Sequence, residues 1–182
     1  MKCALLLLLL SSCSVVVETG TINQAFGLQV KDTRRLNAQT LSIRPTIDLI
    51  DTRFVTLDGG IGPTLITSPM NAWGAGVEQH LRLRYKMTPI IEPYLINVNG
   101  ILYTQGLGGT DVWYGFFTAF GAGAQINLSE RLSVTVDYRW HHISNGMTFH
   151  SDNFRQFFGL EKPSKNEGHE DGGVFAGVVW RF

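Results

Sequence analysis

A histidine, a serine two residues after it, and a glutamate close to the C-terminus are the residues of this 182-residue chain best suited to chemistry. A serine hydroxyl is a weak nucleophile at neutral pH and becomes effective when an imidazole takes its proton. The imidazole in turn needs a carboxylate to hold its tautomer and stabilise the imidazolium. His142, Ser144 and Glu170 supply those three groups, and Asn145 carries an amide that can donate to a developing oxyanion. The chemistry such a set performs is acyl transfer to water through an acyl-serine.

Spacing decides which of these side chains can meet. From Leu132 to Ser144 the even positions read Leu, Val, Val, Tyr, Trp, His, Ser and the odd ones from Ser133 to His141 read Ser, Thr, Asp, Arg, His, an alternation that predicts a strand with one apolar and one polar face. His142 and Ser144 fall on the apolar row, two residues apart and so about 7 Å apart on one face. His141 falls on the opposite face and is expected to be an interior polar residue. Counting back by twos from Val174 gives Gly172 and then Glu170, which puts Glu170 on the outward parity of the last strand. Asp171 is the fallback with the wrong parity. By itself, His-x-Ser is a common spacing.

The elements that must position these residues are strands. The pattern predicts them at Thr19–Val30, Thr40–Ile50, Phe54–Ile66, Gly76–Met87, Ile91–Thr104, Tyr114–Leu128, Arg131–Ser144 and Gly173–Phe182. Short links with turn residues follow the second, fourth and sixth segments, at Asp51–Thr52, Met87–Pro89 and Ser129–Glu130. Gly146–Gly172 is the longest connection. Eight strands with short turns at one end and longer loops at the other predict an all-β fold, an eight-stranded antiparallel transmembrane barrel of the outer membrane. Odd strands would then run outward, leaving both termini in the periplasm and Gly146–Gly172 outside. The last strand alternates Val174, Ala176, Val178, Trp180 and Phe182 with Phe175, Gly177, Val179 and Arg181 and ends on an aromatic, as outer-membrane barrels do.

A soluble lipocalin-like barrel is the competing fold, with its apolar row turned inward. In the fourth segment His80, Arg82, Arg84 and Lys86 share one face, and the sequence alone leaves its direction open: in a soluble barrel it would lie outside. In a membrane barrel they line the interior beside such residues as Glu78, Glu92 and Asp137.

Past the leader, no stretch offers the roughly 18 consecutive apolar residues of a membrane helix. Met1 and Lys2 followed by Ala4–Leu10 read as an export signal, assigned to residues 1–18, with residues 19–182 forming a single barrel domain. Leu10-Ser11-Ser12-Cys13 is similar to a lipoprotein processing site, with cleavage before Cys13. Both cysteines lie in this leader, so no disulfide is expected in the barrel. With 15 basic and 15 acidic residues the net charge is zero, which argues against nucleic acid as a partner. No cofactor is expected. His150 and His169 lack a cysteine partner and ligand spacing, so no metal is expected either.

His142-Ile143-Ser144-Asn145, then Asn166-Glu167-Gly168-His169-Glu170, then a closing strand with a terminal aromatic, resembles the lipid A 3-O-deacylase (PagL) family of outer-membrane barrels. The motifs cover the last quarter of the chain, and Glu92-Pro93-Tyr94 agrees with the family in architecture. The resemblance implies Ser144 as nucleophile, His142 as base, Glu170 as the acid that orients it and Asn145 as oxyanion donor. It implies lipid A of lipopolysaccharide as substrate, outer-membrane lipids as surroundings and a site facing the outer leaflet. Two features depart from the family: Gly146 and Met147 follow Asn145 in place of Ala-Gly, and the segment from Asn145 to Asn166 is longer. That segment carries Arg155, Lys162 and Lys165, read as a solvated loop. Other readings stay open: a non-catalytic structural or adhesion barrel, an esterase acting on another acyl lipid, and a homodimer of barrels.

Overall fold

Alternating side chains give each strand an apolar and a polar face, and closing the sheet on itself removes every unpaired edge. The computed structural model describes residues 13–23, 37–68, 72–105, 113–144 and 168–182. They form β1 (Cys13–Asn23), β2 (Asn37–Asp51), β3 (Val55–Ser68), β4 (Ala72–Tyr85), β5 (Ile91–Gln105), β6 (Trp113–Asn127), β7 (Leu132–Ser144) and β8 (Gly168–Arg181). Each strand pairs antiparallel with its sequence neighbours, and β1 pairs with β8 to close the barrel.

Strand bounds shift from those predicted, most consequentially at the starts of β1 and β8. β1 begins at Cys13 rather than Thr19, so residues 13–18, assigned to the leader from sequence, form the first half of a barrel strand. Val15–Val17 continues the apolar run of the leader and masks the alternation, yet Val16 is buried inside while Val17 is exposed outside. β8 begins at Gly168 rather than Gly173, and this extension carries Glu170 into the ladder.

The faces separate the two candidate folds. On β2, Leu41, Ile43, Ile47 and Leu49 are exposed while Ser42, Arg44 and Thr46 are buried. On β4, Leu81 and Leu83 face out while His80, Arg82 and Arg84 face in. An apolar outer wall around a charged lumen is the arrangement of a transmembrane barrel and the inverse of a lipocalin. Exposed aromatics gather near the two ends, Trp73 and Tyr103 at one and Phe54, Tyr85, Trp180 and Phe182 at the other, as interfacial girdles do. No helix among the described residues is long and apolar enough to cross a membrane, and barrels cross with strands.

The interior is layered. In the half near the short turns, Asp58 receives Arg82 Nε at 3.2 Å and Arg84 Nε at 2.7 Å, and Arg84 also reaches Glu92 at 2.6 Å and Asp48 at 3.0 Å. Above it Arg44 and Arg139 bracket Glu18, Arg44 also pairs with Glu78, and Tyr94 donates to Asp137 at 2.6 Å. Charges taken from water need this mutual pairing to offset their desolvation. Towards the other end Ile22, Ile66, Leu102, Phe117, Ile143 and Phe175 form an apolar plug.

The three short turns share one device. Thr52, Thr88 and Ser129 each accept backbone N–H bonds on their side-chain oxygen, from Val55 at 3.0 Å, Ile91 at 2.9 Å and Leu132 at 3.1 Å. These hydroxyls satisfy the turn backbone locally and hold the reversal tight. Both ends of the described chain lie at this rim, where Phe182 N–H donates to the Cys13 carbonyl.

Candidate active site

His142 and Glu170 lie at the opposite rim, where the long connections leave the barrel. Register brings them together, because His142 pairs with Glu170 across the β7–β8 ladder and Ser144 pairs with Gly168. Directly opposed residues of an antiparallel pair place their side chains on the same face within contact. Nδ1 of His142 stands 3.4 Å from Oε1 of Glu170, with the two side chains 30% and 25% exposed. At this separation the pair has ion-pair distance without hydrogen-bond alignment, and Nδ1 has no hydrogen-bond partner among the described residues. Such contacts commonly tighten only when substrate is bound. The indole of Trp140 stacks on the imidazole, with ring centroids 6.1 Å apart and planes at 23°.

The inner face supplies the support. His141 and Asp171, the neighbours of the pair in sequence, point inward and are buried. Asp171, the fallback acid, is thus on the wrong side of the wall for His142. The His141 ring stacks on Phe175 at 5.0 Å, and the Arg139 guanidinium lies 4.3 Å from the same ring. Phe175 has room because its neighbours lack side chains: a Cβ on Gly20 would sit 2.1 Å from the ring, and one on Gly173 2.6 Å from it. The segment carrying His142 and Glu170 therefore rests on a packed aromatic layer.

Ser144 closes β7 at the same strand parity as His142, two residues on, and its backbone pairs with Phe116 and Gly168. Its side chain, Asn145 and the whole of 145–167, with Arg155, Lys162 and Lys165, lie outside the described residues. Among the described residues no group of three His, Cys, Asp or Glu side chains could hold a metal.

The outer wall beside the pair carries polar residues that the strand-by-strand reading overlooks. Thr118 pairs with His142, Asn99 with Thr118 and Gln79 with Asn99, so one ladder row runs Gln79, Asn99, Thr118, His142, Glu170 across β4 to β8. The signal in sequence is Asn97 and Asn99 interrupting the outward row of Leu95, Ile101 and Tyr103. A large outward groove of about 660 Å³ lies elsewhere, near the short-turn rim beside Pro45, Ile47, Leu49 and Leu81, and belongs to the lipid-facing wall.

Neither a protein-family model nor a curated protein matches this chain. Solved structures do. Neisserial surface protein A superposes with a TM-score of 0.62 at 14% identity, covering 94% of this chain and 98% of that one. That likeness shows the fold. A weaker likeness joins the chain to Ail, the attachment invasion locus protein of Yersinia pestis, with a TM-score of 0.46 at 14% identity over 94% of this chain and 97% of that one. A de novo designed transmembrane β-barrel gives 0.46 at 18% identity over 94% and 96%. The chain is an eight-stranded barrel of the outer-membrane type.

Proposed function

We propose that this protein is an outer-membrane serine esterase that removes the 3-O-linked acyl chain from lipid A. The observation that carries the reading is the in-register His142–Glu170 pair on the lipid-facing wall, 3.4 Å apart at the long-connection rim. Polar catalytic groups on the outside of a membrane barrel make sense when the substrate is itself a membrane lipid. With the short turns in the periplasm, this rim meets the outer leaflet, where lipid A resides.

In this reading Ser144 Oγ attacks the ester carbonyl while His142 takes the hydroxyl proton, and Glu170 holds the imidazole and its positive charge. The Asn145 amide donates to the carbonyl oxygen as it becomes negative. The tetrahedral species collapses as His142 returns the proton to the departing sugar oxygen, leaving an acyl-serine. A water molecule, deprotonated by His142, then attacks that ester and releases the fatty acid. Trp140 and Tyr138, on the same outward row as His142, flank the acyl chain.

The test is the lipid A mass profile of cells producing either the wild type or Ser144→Ala. Loss of one acyl chain with the wild type alone supports the esterase, and identical profiles refute it. The fold likeness to Neisserial surface protein A favours a second reading, a non-catalytic surface barrel. Under it, both profiles match and His142 and Glu170 are merely interfacial polar residues.

A further inference from the structure

The row Gln79, Asn99, Thr118, His142, Glu170 descends the outer wall from the rim, where His142 and Glu170 sit near their strand ends, to Gln79 at the middle of β4. Adjacent strands are about 4.8 Å apart, so the row spans roughly 15 Å from His142 to Gln79. Its middle is hydrogen-bonded. Thr118 Oγ1 donates to Asn99 Oδ1 at 2.8 Å, Asn99 Nδ2 donates to Asn97 Oδ1 at 2.6 Å, and Asn97 Nδ2 donates to the Ala119 carbonyl at 3.3 Å. The Gln79 amide is exposed and makes no hydrogen bond among the described residues. Apolar rows border this stripe, with Val77 and Ile101 above it and Leu81, Leu95 and Phe120 below, all exposed.

Amides facing hydrocarbon are unfavourable unless something hydrogen-bonds them, so polar residues at membrane depth mark sites. The internal bonds leave capacity unused: each amide nitrogen of Asn97 and Asn99 has a second N–H, and Gln79 keeps its whole amide. Between Gln79 and Thr118 the row holds no cation, so it suits neutral donors and acceptors rather than phosphate, which calls for Arg or Lys. Neutral polar groups set within hydrocarbon are the esters, amides and hydroxyls at the heads of acyl chains.

The geometry points to this row as a binding track for the ester, amide and hydroxyl groups of the further acyl chains of a multiply acylated glycolipid whose scissile ester lies at Ser144. The inference rests on the esterase reading and deepens it. It makes the enzyme selective for a many-chained lipid over a simple single-chain ester, because a single-chain ester leaves the track empty. The track acts on binding, whereas His142 and Glu170 act on turnover.

The test uses full-length protein in detergent micelles, with folding checked by urea unfolding. Binding of purified lipid A is measured on Ser144→Ala protein, with and without Asn99→Leu and Thr118→Val. Both substitutions put lipid-compatible side chains on the wall. Gln79→Leu, which removes no internal hydrogen bond, serves if the pair fails to fold. The expected result is about ten-fold weaker lipid A binding, equivalent to about 1.4 kcal/mol. In the Ser144-containing background, turnover of a single-chain nitrophenyl ester stays within about two-fold. Equal lipid A affinity in all variants overturns the track. So does native mass spectrometry showing that the variants convert a dimer to a monomer at unchanged lipid A affinity, which would make the row a barrel–barrel contact. If the wild type binds lipid A through the row yet releases no fatty acid, the track stands and the esterase reading fails.

Discussion

His142 and Glu170 face each other across the β7–β8 ladder as a register pair, Nδ1 to Oε1 3.4 Å, on the outside of the barrel. The carboxylate is held there by strand pairing rather than by a loop. Its removal should therefore impair catalysis without disturbing the barrel. Glu170→Gln is expected to lower fatty acid release from lipid A by about 10²–10⁴-fold, the usual worth of a general acid–base assembly. Steady-state kinetics with purified protein check this, with the loss in kcat rather than KM.

The two adjacent histidines should behave in opposite ways. His142→Phe removes the proposed base and is expected to abolish activity. His141→Phe keeps an aromatic ring against Phe175 and removes an imidazole whose Nε2 has no hydrogen-bond partner among the described residues. An unpaired buried polar atom is destabilising, so its replacement by an apolar ring is expected to leave activity intact and stability equal or higher. Activity assays and urea unfolding of both variants distinguish them.

That opposition was legible in the sequence, because alternation from Leu132 to Ser144 assigns His142 and His141 to different faces without any knowledge of neighbours. Glu170 was reachable by counting back in twos, although the long connection was taken to run through Gly172, beside Gly173 at the head of the predicted strand. Their lack of side chains serves the strand instead, since Gly173 leaves space for the Phe175 ring. β1 was misplaced because Val15–Val17 reads as more of the apolar N-terminal run and hides the period of two. The Gln79–Asn99–Thr118 row was not legible, since each residue looks like an isolated polar interruption until the register of four ladders aligns them.

Room for Phe175 is a second dependence on glycine. Gly20→Ala would place a Cβ 2.1 Å from the Phe175 ring, with the β1–β8 pairing holding both. Overpacking of this kind is expected to cost about 1–3 kcal/mol. Phe175→Leu in the same chain should recover part of that loss, giving a non-additive double-mutant cycle in urea unfolding.

Arg139 is buried at 1% exposure between Glu18 and Asp137. Arg139→Met leaves two carboxylates in the lumen without their shared cation, and a loss of about 3–5 kcal/mol is expected from breaking a buried pair on one side. Pairing it with Glu18→Gln should reduce the penalty, as read by the shift in urea midpoint.

The ionic layer and the apolar plug fill the lumen at different heights among the described residues, and a cavity beside Glu18, Arg139 and His141 holds about 10 Å³. That is about the space of one water molecule. Planar-bilayer recordings of the purified barrel should show no discrete conductance steps. Regular steps would indicate an open channel and contradict this packing.

The most direct measurement of the central claim follows fatty acid released from purified lipid A by the wild type and by Ser144→Ala, with mass spectrometry of the remaining lipid. The account predicts one fatty acid released per lipid A by the wild type, lost from the 3-position, and none by Ser144→Ala. Release at the same rate by both proteins, or none by a folded wild type, would contradict it.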